Sequence, residues 1–513
     1  MNLCGIVNLH LERRCVAIVI TYTKPAYTTT SLVFNLHADD TNVFVEHFLD
    51  YHYAHFSYSG TSVLTVTASQ PITSFDISPH SMEITGTVNG NELTFSIDNN
   101  AEKPAYLVIQ INSLEKLVVL ADPLESNAPR SSGAGIYNIT SDPYYADNTW
   151  TSDVTSIIQQ AIDDASAAGG GTVYVPEGVY KVKDILYIKS NVTLYLQGGA
   201  VIKSNPDRTL YEHTTSSEGK IFIEPMIRID HAPNSNILGR GVLDASGIAI
   251  MDTDRASATY LGYRRNVIVG NFSNQVTIEG IIIKDSTTWT INGIQGGDGF
   301  TVRHVKIINH KNADQYKIMN DGIDLCGTRN AVAEKNFVMT VDDALCAKST
   351  INDFAMYNVR FKNNIVFSSC AGLKAGLQSW SPMYDVWFEN NDVVQARRGI
   401  VVEATAGTQL MSDIHFVNTR VEGYVFTSMG KSIPVEIEAK TAPITNVYID
   451  GALFEKAAVH PITISGSSST NTVTNVALAE LSICGDAITN VPDKRIIEGS
   501  HAAGFSVSAR NKA

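Results

Sequence analysis

The alternation of apolar and polar positions divides the chain into two stretches of strand on either side of one amphipathic helix. Between residues 16 and 121, short runs of β-branched and aromatic residues (VAIVITYT, SLVFNLH, NVFVEHF, SVLTVTA, MEITGTV, ELTFSID, AYLVIQI) are separated by turn residues, as in VNGNE. So many short strands within about a hundred residues predict a β-sandwich. Residues 122–150 hold Pro, Gly and Ser and read as a linker with an ordered lead-in. Then Val154, Ile157, Ile158 and Ile162 fall on one helical face, Asp153 stands where an N-cap is wanted, and Gly169-Gly170-Gly171 ends the run. This helix, near 153–167, is the only one the pattern predicts.

The later strands repeat. QVTIEGIIIKD, FTVRHVKIIN, NAVAEKNFVMT, NVRFKNNIVFS, DVWFENNDVVQ, DIHFVNTRVEG, NVYIDGALFEK and NVALAELSICG have first apolar residues Val276, Val302, Val332, Val359, Val386, Ile414, Val447 and Val476. The intervals are 26, 30, 27, 27, 28, 33 and 29 residues. Such a period, with two or three short strands per unit, predicts a parallel β-helix whose coils bury their apolar faces on one another. The helix then caps the open end. The Leu/Asn signature of a leucine-rich repeat is lacking. The expected architecture is all-β: an N-terminal β-sandwich domain at 1–125, a linker and lead-in at 126–150, and a parallel β-helix over 151–513.

Composition narrows the function. Hydrophobic residues make up 44% and charged residues 18%, which excludes a disordered chain. Lys+Arg 38 against Asp+Glu 52 gives a net charge of -14, which repels phosphate backbones, so no nucleic-acid partner is expected. No run reaches about 18 apolar residues, so no membrane span is expected. Arg13 and Arg14 precede an apolar run from Cys15 to Ile20, shorter than the roughly 7–15 residues of a secretory core. A strand, an expression scar and a damaged signal all remain open there. The six cysteines, Cys4, Cys15, Cys326, Cys346, Cys370 and Cys484, lack metal-ligand spacing, so neither a metal nor a cofactor is expected. Cys326, Cys346 and Cys370 fall at similar phases of successive coils and are expected to stack inward as small apolar residues.

The densest carboxylate cluster is Asp321, Asp324, Asp342 and Asp343, within MNDGIDLCGTRNAVAEKNFVMTVDDALCAKS. Asp321 precedes Asp342 by nearly one coil, so the two should stack about 4.8 Å apart, the spacing of neighbouring strands. Adjacent strand residues face opposite ways, so Asp342 and Asp343 share a cleft only if the backbone turns between them. Crowded carboxylates repel and at least one pKa rises, leaving a proton donor beside ionised bases, as glycosidic cleavage requires. Carboxyl groups far enough apart to admit a water give inversion. A ladder of turn aspartates, capping loops or holding Ca²⁺, is the structural alternative.

These residues carry a family resemblance. The chain from about 150 to 425 resembles glycoside hydrolase family 28, the polygalacturonases and their relatives on a right-handed parallel β-helix. Asn320-Asp321-Gly322-Ile323-Asp324 stands for the family's Asn-Thr-Asp-Gly-Ile-Asp, and Val341-Asp342-Asp343-Ala344 with Ala347-Lys348-Ser349 for its Gly-Asp-Asp-Cys-Ile-Ala-Ile-Lys-Ser. Trp289, in DSTTWTINGIQGGDGF, stands in the usual Trp position. The resemblance implies that Asp342 is the general acid and that Asp321 and Asp343 hold and deprotonate the attacking water. It also implies substrate contacts from Asn320, Asp324 and Lys348. Two segments depart from the family. Its Gly-His-Gly-Leu is replaced by Cys370-Ala371-Gly372-Leu373-Lys374, with Lys374 as a substitute positive charge or a substrate contact. Its carboxylate-reading Arg-Ile-Lys is replaced by Gly399-Ile400-Val401-Val402-Glu403, just after Arg397 and Arg398.

Glu403 therefore suits neutral hydroxyls better than uronates, whereas Arg397 and Arg398 are the residues that would rebuild a cationic subsite. Trp289, Trp380 and Trp387 are candidate platforms for sugar rings. The two-domain layout is also reminiscent of family 49, the dextranases and isopullulanases. The expected partner is a polysaccharide or oligosaccharide, with a secreted or cell-envelope location. A non-catalytic carbohydrate-binding β-helix and a polysaccharide lyase are the other readings.

Overall fold

The computed structural model describes residues 18–99, 103–215, 221–251, 263–310, 319–427, 430–490 and 492–508. Cys4, Arg13, Arg14 and Cys15 lie outside them; Ile18–Thr21 is a strand that pairs antiparallel with Tyr51–Ser59. Two sheets form the N-terminal β-sandwich. One holds Thr29–Thr30, Val45–Phe48, Tyr51–Ser59, Leu117–Pro123, Ala105–Ile111 and Phe75–Ser78, and the other Thr41–Val43, Phe34–Ala38, Thr61–Ala68, Glu92–Asp98 and Gly86–Asn89. Phe34, Leu64, Val66 and Phe95 meet Phe56, Leu107, Ile109 and Val119 between them.

The strand pattern missed Tyr51–Ser59 and Leu117–Pro123, and it extended MEITGTV over a turn, where only Gly86–Asn89 is strand. The missed strands do not alternate because both their faces are covered. Ala54, Phe56 and Tyr58 face the sandwich core, whereas Tyr51, Tyr53, Tyr106, Val118 and Leu120 pack on Ile282, Ile308, Phe337, Met339 and Ile365 of the second unit. Charges are buried along this seam too: Lys284 lies 2.7 Å from Glu46, and Lys306 lies 2.5 Å from Asp122.

The rest is a right-handed parallel β-helix of three sheets, and its first coil already takes in Ile136–Asn138 and Thr149–Asp153 from the lead-in. Helix α1, Thr155–Ala167, buries Ile158, Ala161, Ile162 and Ala165 over that end. Val154, not Asp153, holds the N-cap position; the Asp153 carboxylate accepts from the Thr155 N–H at 3.3 Å instead. A four-residue helix, Gly247–Ile250, is also present. Val359, Val386, Ile414, Val447 and Val476 form one inward ladder as the repeat predicted. Val302 stacks instead on Ile278, and Val332 alternates outward between buried Ala331 and Ala333. Phe361, Phe388 and Phe416 stack at 4.6 and 4.7 Å, and buried Asn336, Asn364 and Asn391 bond side chain to side chain at one corner. Among the described residues, no helix is long and apolar enough to cross a membrane.

Candidate active site

The aspartates come from successive coils of one sheet, whose strands include Ile323–Cys326, Leu345–Ser349, Ala371–Ser379 and Arg398–Gly407. The register sets Asp324, Cys346, Lys374 and Val401 in one outward-facing row. Asp321 immediately precedes its sheet. Asp342 and Asp343 occupy the corner between Phe337–Thr340 and Leu345–Ser349, so the strand alternation that would separate them does not apply. Gly322 N–H donates to the Asp343 carbonyl at 2.9 Å, which sets Asp321 level with Asp343, one residue later than the spacing suggested.

Hydrogen bonds fix this corner. The Asn320 Oδ1 accepts from Val341 N–H at 2.8 Å and Asp342 N–H at 3.4 Å, and its Nδ2 donates to Ser286 O. Asn320 is fully buried, so its side chain holds the backbone beneath the aspartates rather than a substrate. Thr340 and Ser368 hydroxyls both donate to the Asp342 carbonyl at 2.7 Å. The Asp343 Oδ1 accepts from Ala371 N–H at 3.1 Å.

Two lysines divide the charges. The Lys348 Nζ lies 2.5 Å from Asp321 and 3.0 Å from Asp324, with the Trp289 ring 3.8 Å away. Asp324 is fully buried beneath Lys348, which removes it from direct substrate contact. The Lys374 Nζ lies 2.7 Å from Asp343 and 2.6 Å from Glu403. Arg398 lies 3.2 Å from Glu403, 2.9 Å from Glu436 and 3.7 Å from Asp343. Glu403 thus neutralises two cations. Arg397 is half-buried, with a guanidinium nitrogen 3.6 Å from the Cys370 sulfur. Trp380 is exposed at the far end of the Ala371–Ser379 strand, and Trp387 faces outward on another sheet against His415 at 3.7 Å.

The environments separate the aspartates. Half-buried Asp342 is pushed up to about 6, first by burial and then by the charge of Asp343. Burial also raises Asp343, but Lys374, Arg398 and Lys348 outweigh it and hold the carboxyl well below its usual range. Burial pushes Asp321 well up, opposed by Lys348 and reinforced by the other three aspartates. Burial lowers Lys348, but Asp321 and Asp324 overcome it and keep the ammonium charged. A charged lysine between two carboxyl groups requires negative charge on that pair.

The cysteines correct the inward-stack expectation. Cys346 pairs with Asp324 and Lys374, and Cys326 with Lys348, on the face opposite Ile323, Leu325, Leu345 and Ala347. The Cys346 sulfur lies within 4.8 Å of carboxylate oxygens of Asp321 and Asp324, and the Cys370 thiol lowers Asp342 by hydrogen bonding. Cys370, Asp342 and Asp343 bring their polar atoms within 4.8 Å of one another. Sequence reading missed this role of Cys370 and the part of Glu436; the only signal was the position of each in the coil register.

A parallel β-helix with a corner of aspartates in split protonation states is the build of a carbohydrate-active enzyme. The chain belongs to the glycosyl hydrolases family 28, whose model matches residues 166–487, and its fold is polygalacturonase-like. The family 28 exopolygalacturonase of Yersinia enterocolitica superposes with a TM-score of 0.53 at 15% identity, over 88% of this chain and 97% of that one. Dex49A from Penicillium minioluteum gives 0.55 at 13% identity, over 92% of each. At such identities the likeness is one of fold. Plasmin and fibronectin-binding protein A of Streptococcus pneumoniae (strain ATCC BAA-255 / R6) is 31% identical over 131 residues, 25% of this chain. The match spans 18% of that relative's length.

Proposed function

We propose that this protein hydrolyses α-linked polysaccharide with inversion, Asp342 acting as general acid, Asp343 deprotonating the attacking water and Asp321 helping to hold it. The observation that carries this reading is the Asp342–Asp343 pair, one member pushed up to about 6 and the other held ionised by Lys374 and Arg398. A proton donor titrating near working pH beside an ionised base is what acid–base cleavage of a glycosidic bond needs. Asp342 is also the least buried of the three. Asn320, Asp324 and Lys348 position these groups from beneath.

The charge arrangement favours neutral or mixed saccharides over homogalacturonan. A bound uronate has to compete with Asp343, Glu403 and Glu436 for Lys374 and Arg398, which are already paired. The nearest alternatives are a dextranase- or isopullulanase-like α-glucan hydrolase and a binding-only β-helix. Secretion fits a polymeric substrate.

Wild type and the Asp342→Asn variant, incubated with polygalacturonate, its methyl ester, rhamnogalacturonan, dextran and pullulan, test the reading. Release of reducing ends, with the β-anomer appearing first by NMR and lost in the variant, is the expected result. Equal turnover by the variant removes Asp342 as the acid. An unsaturated product means a lyase, and saccharide binding by wild type without turnover means a binding protein.

A further inference from the structure

Beside helix α1, on the same face of the β-helix as the aspartates, lies a cleft of about 1030 Å³ that the catalytic corner does not use. Its walls include Tyr187, Tyr211, Glu224, Arg228 and Arg265. The sheet register joins it to the active site. Tyr187 pairs with Arg228, Arg228 with Val269, Val269 with Asn292, Asn292 with Asp324, and Asp324 with Cys346 beside Lys374. Arg228 and Asp324 are three strands apart in this row, about 14 Å at the usual strand spacing.

Arg265 is the group in this cleft whose bonding is incomplete. Its side chain is 1% exposed. Nε donates to the Glu224 carbonyl at 2.9 Å, Nη1 donates to Ser204 Oγ at 2.5 Å, and the guanidinium lies over the Tyr211 ring at 4.4 Å. Nη2 is buried and, beyond the guanidinium's contact with Tyr211, has no partner among the described residues. An unmade hydrogen bond on a buried charged donor is costly, and a ligand oxygen entering the cleft relieves it. Asn292, between the cleft and the aspartates, is 8% exposed and its Oδ1 is likewise unpaired. Tyr187 is 44% exposed and offers a flat apolar surface of the kind on which sugar rings rest.

The other charges select against an acidic chain. Arg228 is already held by Glu224 at 2.8 Å and Asp230 at 3.4 Å. Asp153, Asp184 and Glu212 add negative charge to the walls, against one further cation, Lys183. A polyuronate meets net repulsion here, whereas hydroxyl groups can both accept from Arg265 and donate to the carboxylates.

We infer that this cleft is an accessory subsite for an uncharged stretch of an α-glucan, held a few sugars from the bond that is cleaved. The inference rests on the proposed hydrolysis of neutral or mixed α-linked saccharides. Distal binding of this kind lets long chains bind more tightly than short ones, because the second contact is made within one molecule.

Calorimetry with the full chain carrying Asp342→Asn tests it, using short and long isomalto- and malto-oligosaccharides and oligogalacturonates of matched length. Affinity for the neutral series should rise with length. Adding Tyr187→Ala should weaken the long ligands by roughly five- to tenfold while moving the shortest ones much less. Arg265→Lys should act in the same direction. If Arg265→Lys does not fold, the surface substitution Tyr187→Ala still decides. Affinity independent of length, a stronger rise for the oligogalacturonates, or long-ligand affinity unchanged by Tyr187→Ala overturns the inference. Absence of wild-type turnover alongside length-dependent, Tyr187-sensitive binding would sink the proposed hydrolysis and leave the cleft standing.

Discussion

Replacing Lys374 by Met removes the ammonium that separates the protonation states of the aspartates. Lys374 is 3% exposed and lies 2.7 Å from Asp343 and 2.6 Å from Glu403. At an effective dielectric of about 20, either contact is a gross attraction of about 6 kcal/mol, most of which offsets the desolvation of the ammonium. Breaking such a buried pair costs about 3–5 kcal/mol of stability, because uncompensated carboxylates remain. Arg398, at 3.7 Å, and Lys348 alone then oppose the burial of Asp343. Asp343 rises and competes with Asp342 for one proton, so neither is a dedicated acid or base. In wild type, activity should fall as pH rises through about 6, where Asp342 loses its proton, and hold well into the acid range, because Asp343 stays ionised there. In the Lys374→Met variant an acid limb should appear, because the base now has to be deprotonated. The alkaline limb should move upward, since Lys374 also lowers Asp342. The maximal kcat should drop by about 10²–10⁴. Lys374→Arg should keep the wild-type profile with a smaller loss. The readouts are the pH dependence of kcat and kcat/KM, with thermal melts to record the stability change. A folded Lys374→Met enzyme whose profile superimposes on that of wild type would refute the reasoning.

Glu403→Gln leaves Lys374 and Arg398 with less negative charge, so kcat/KM on polygalacturonate relative to its methyl ester should rise by about tenfold, and less at high salt; an unchanged ratio would mean that Glu403 does not set substrate charge. Cys370→Ala removes a thiol donor that lowers Asp342, so the alkaline limb should move above about 6 in the kcat/KM profile; an unmoved limb excludes Cys370 as a positioning residue. His55, buried at the seam between sandwich and β-helix, is pushed down to about 4 by burial, which outweighs its bond to Asp122. With an unfolded value of about 6.5, the unfolded chain binds the extra proton first as pH falls. Stability should therefore decline between about pH 6.5 and 4, by on the order of 1–3 kcal/mol, and melts of His55→Gln should show a shallower decline.

The coil period was legible because the inward positions of the β-helix recur at a nearly constant spacing and are mostly Val, Ile or Phe. It failed where an outward residue is also apolar: Val332 has the chemistry of a core residue but the wrong parity. The same ambiguity hid Tyr51–Ser59, where two different cores cover the two faces and erase the alternation. The Asp321, Asp342 and Asp343 grouping could be read because one coil converts a sequence interval into adjacency. The polar duty of Cys346 and Cys370 could not, since a thiol beside a carboxylate is set by register, and register is invisible in residue type. The Arg265 cleft was out of reach for a further reason. Its walls come from the capping helix, two coils and a small side sheet, and no local motif spans them.

The row that joins cleft and catalytic corner bears on substrate choice through charge balance. From Arg228 to Lys374, every cation on the row has a carboxylate partner within 4 Å: Arg228 with Glu224 and Asp230, and Lys374 with Asp343 and Glu403. Lys348, alongside the row, has Asp321 and Asp324. A polyuronate would have to displace an internal carboxylate at each step, exchanging one ion pair for another while burying an extra negative charge. A neutral chain needs only hydrogen bonds, and the buried Arg265 Nη2 and Asn292 Oδ1 are a donor and an acceptor with no hydrogen-bond partner among the described residues. The same pairing that keeps Asp343 ionised for catalysis therefore removes the cations that would read a uronate. Acid–base function and preference for uncharged sugar then follow from one network centred on Lys374, and a substitution that restores uronate binding should disturb the pH profile as well.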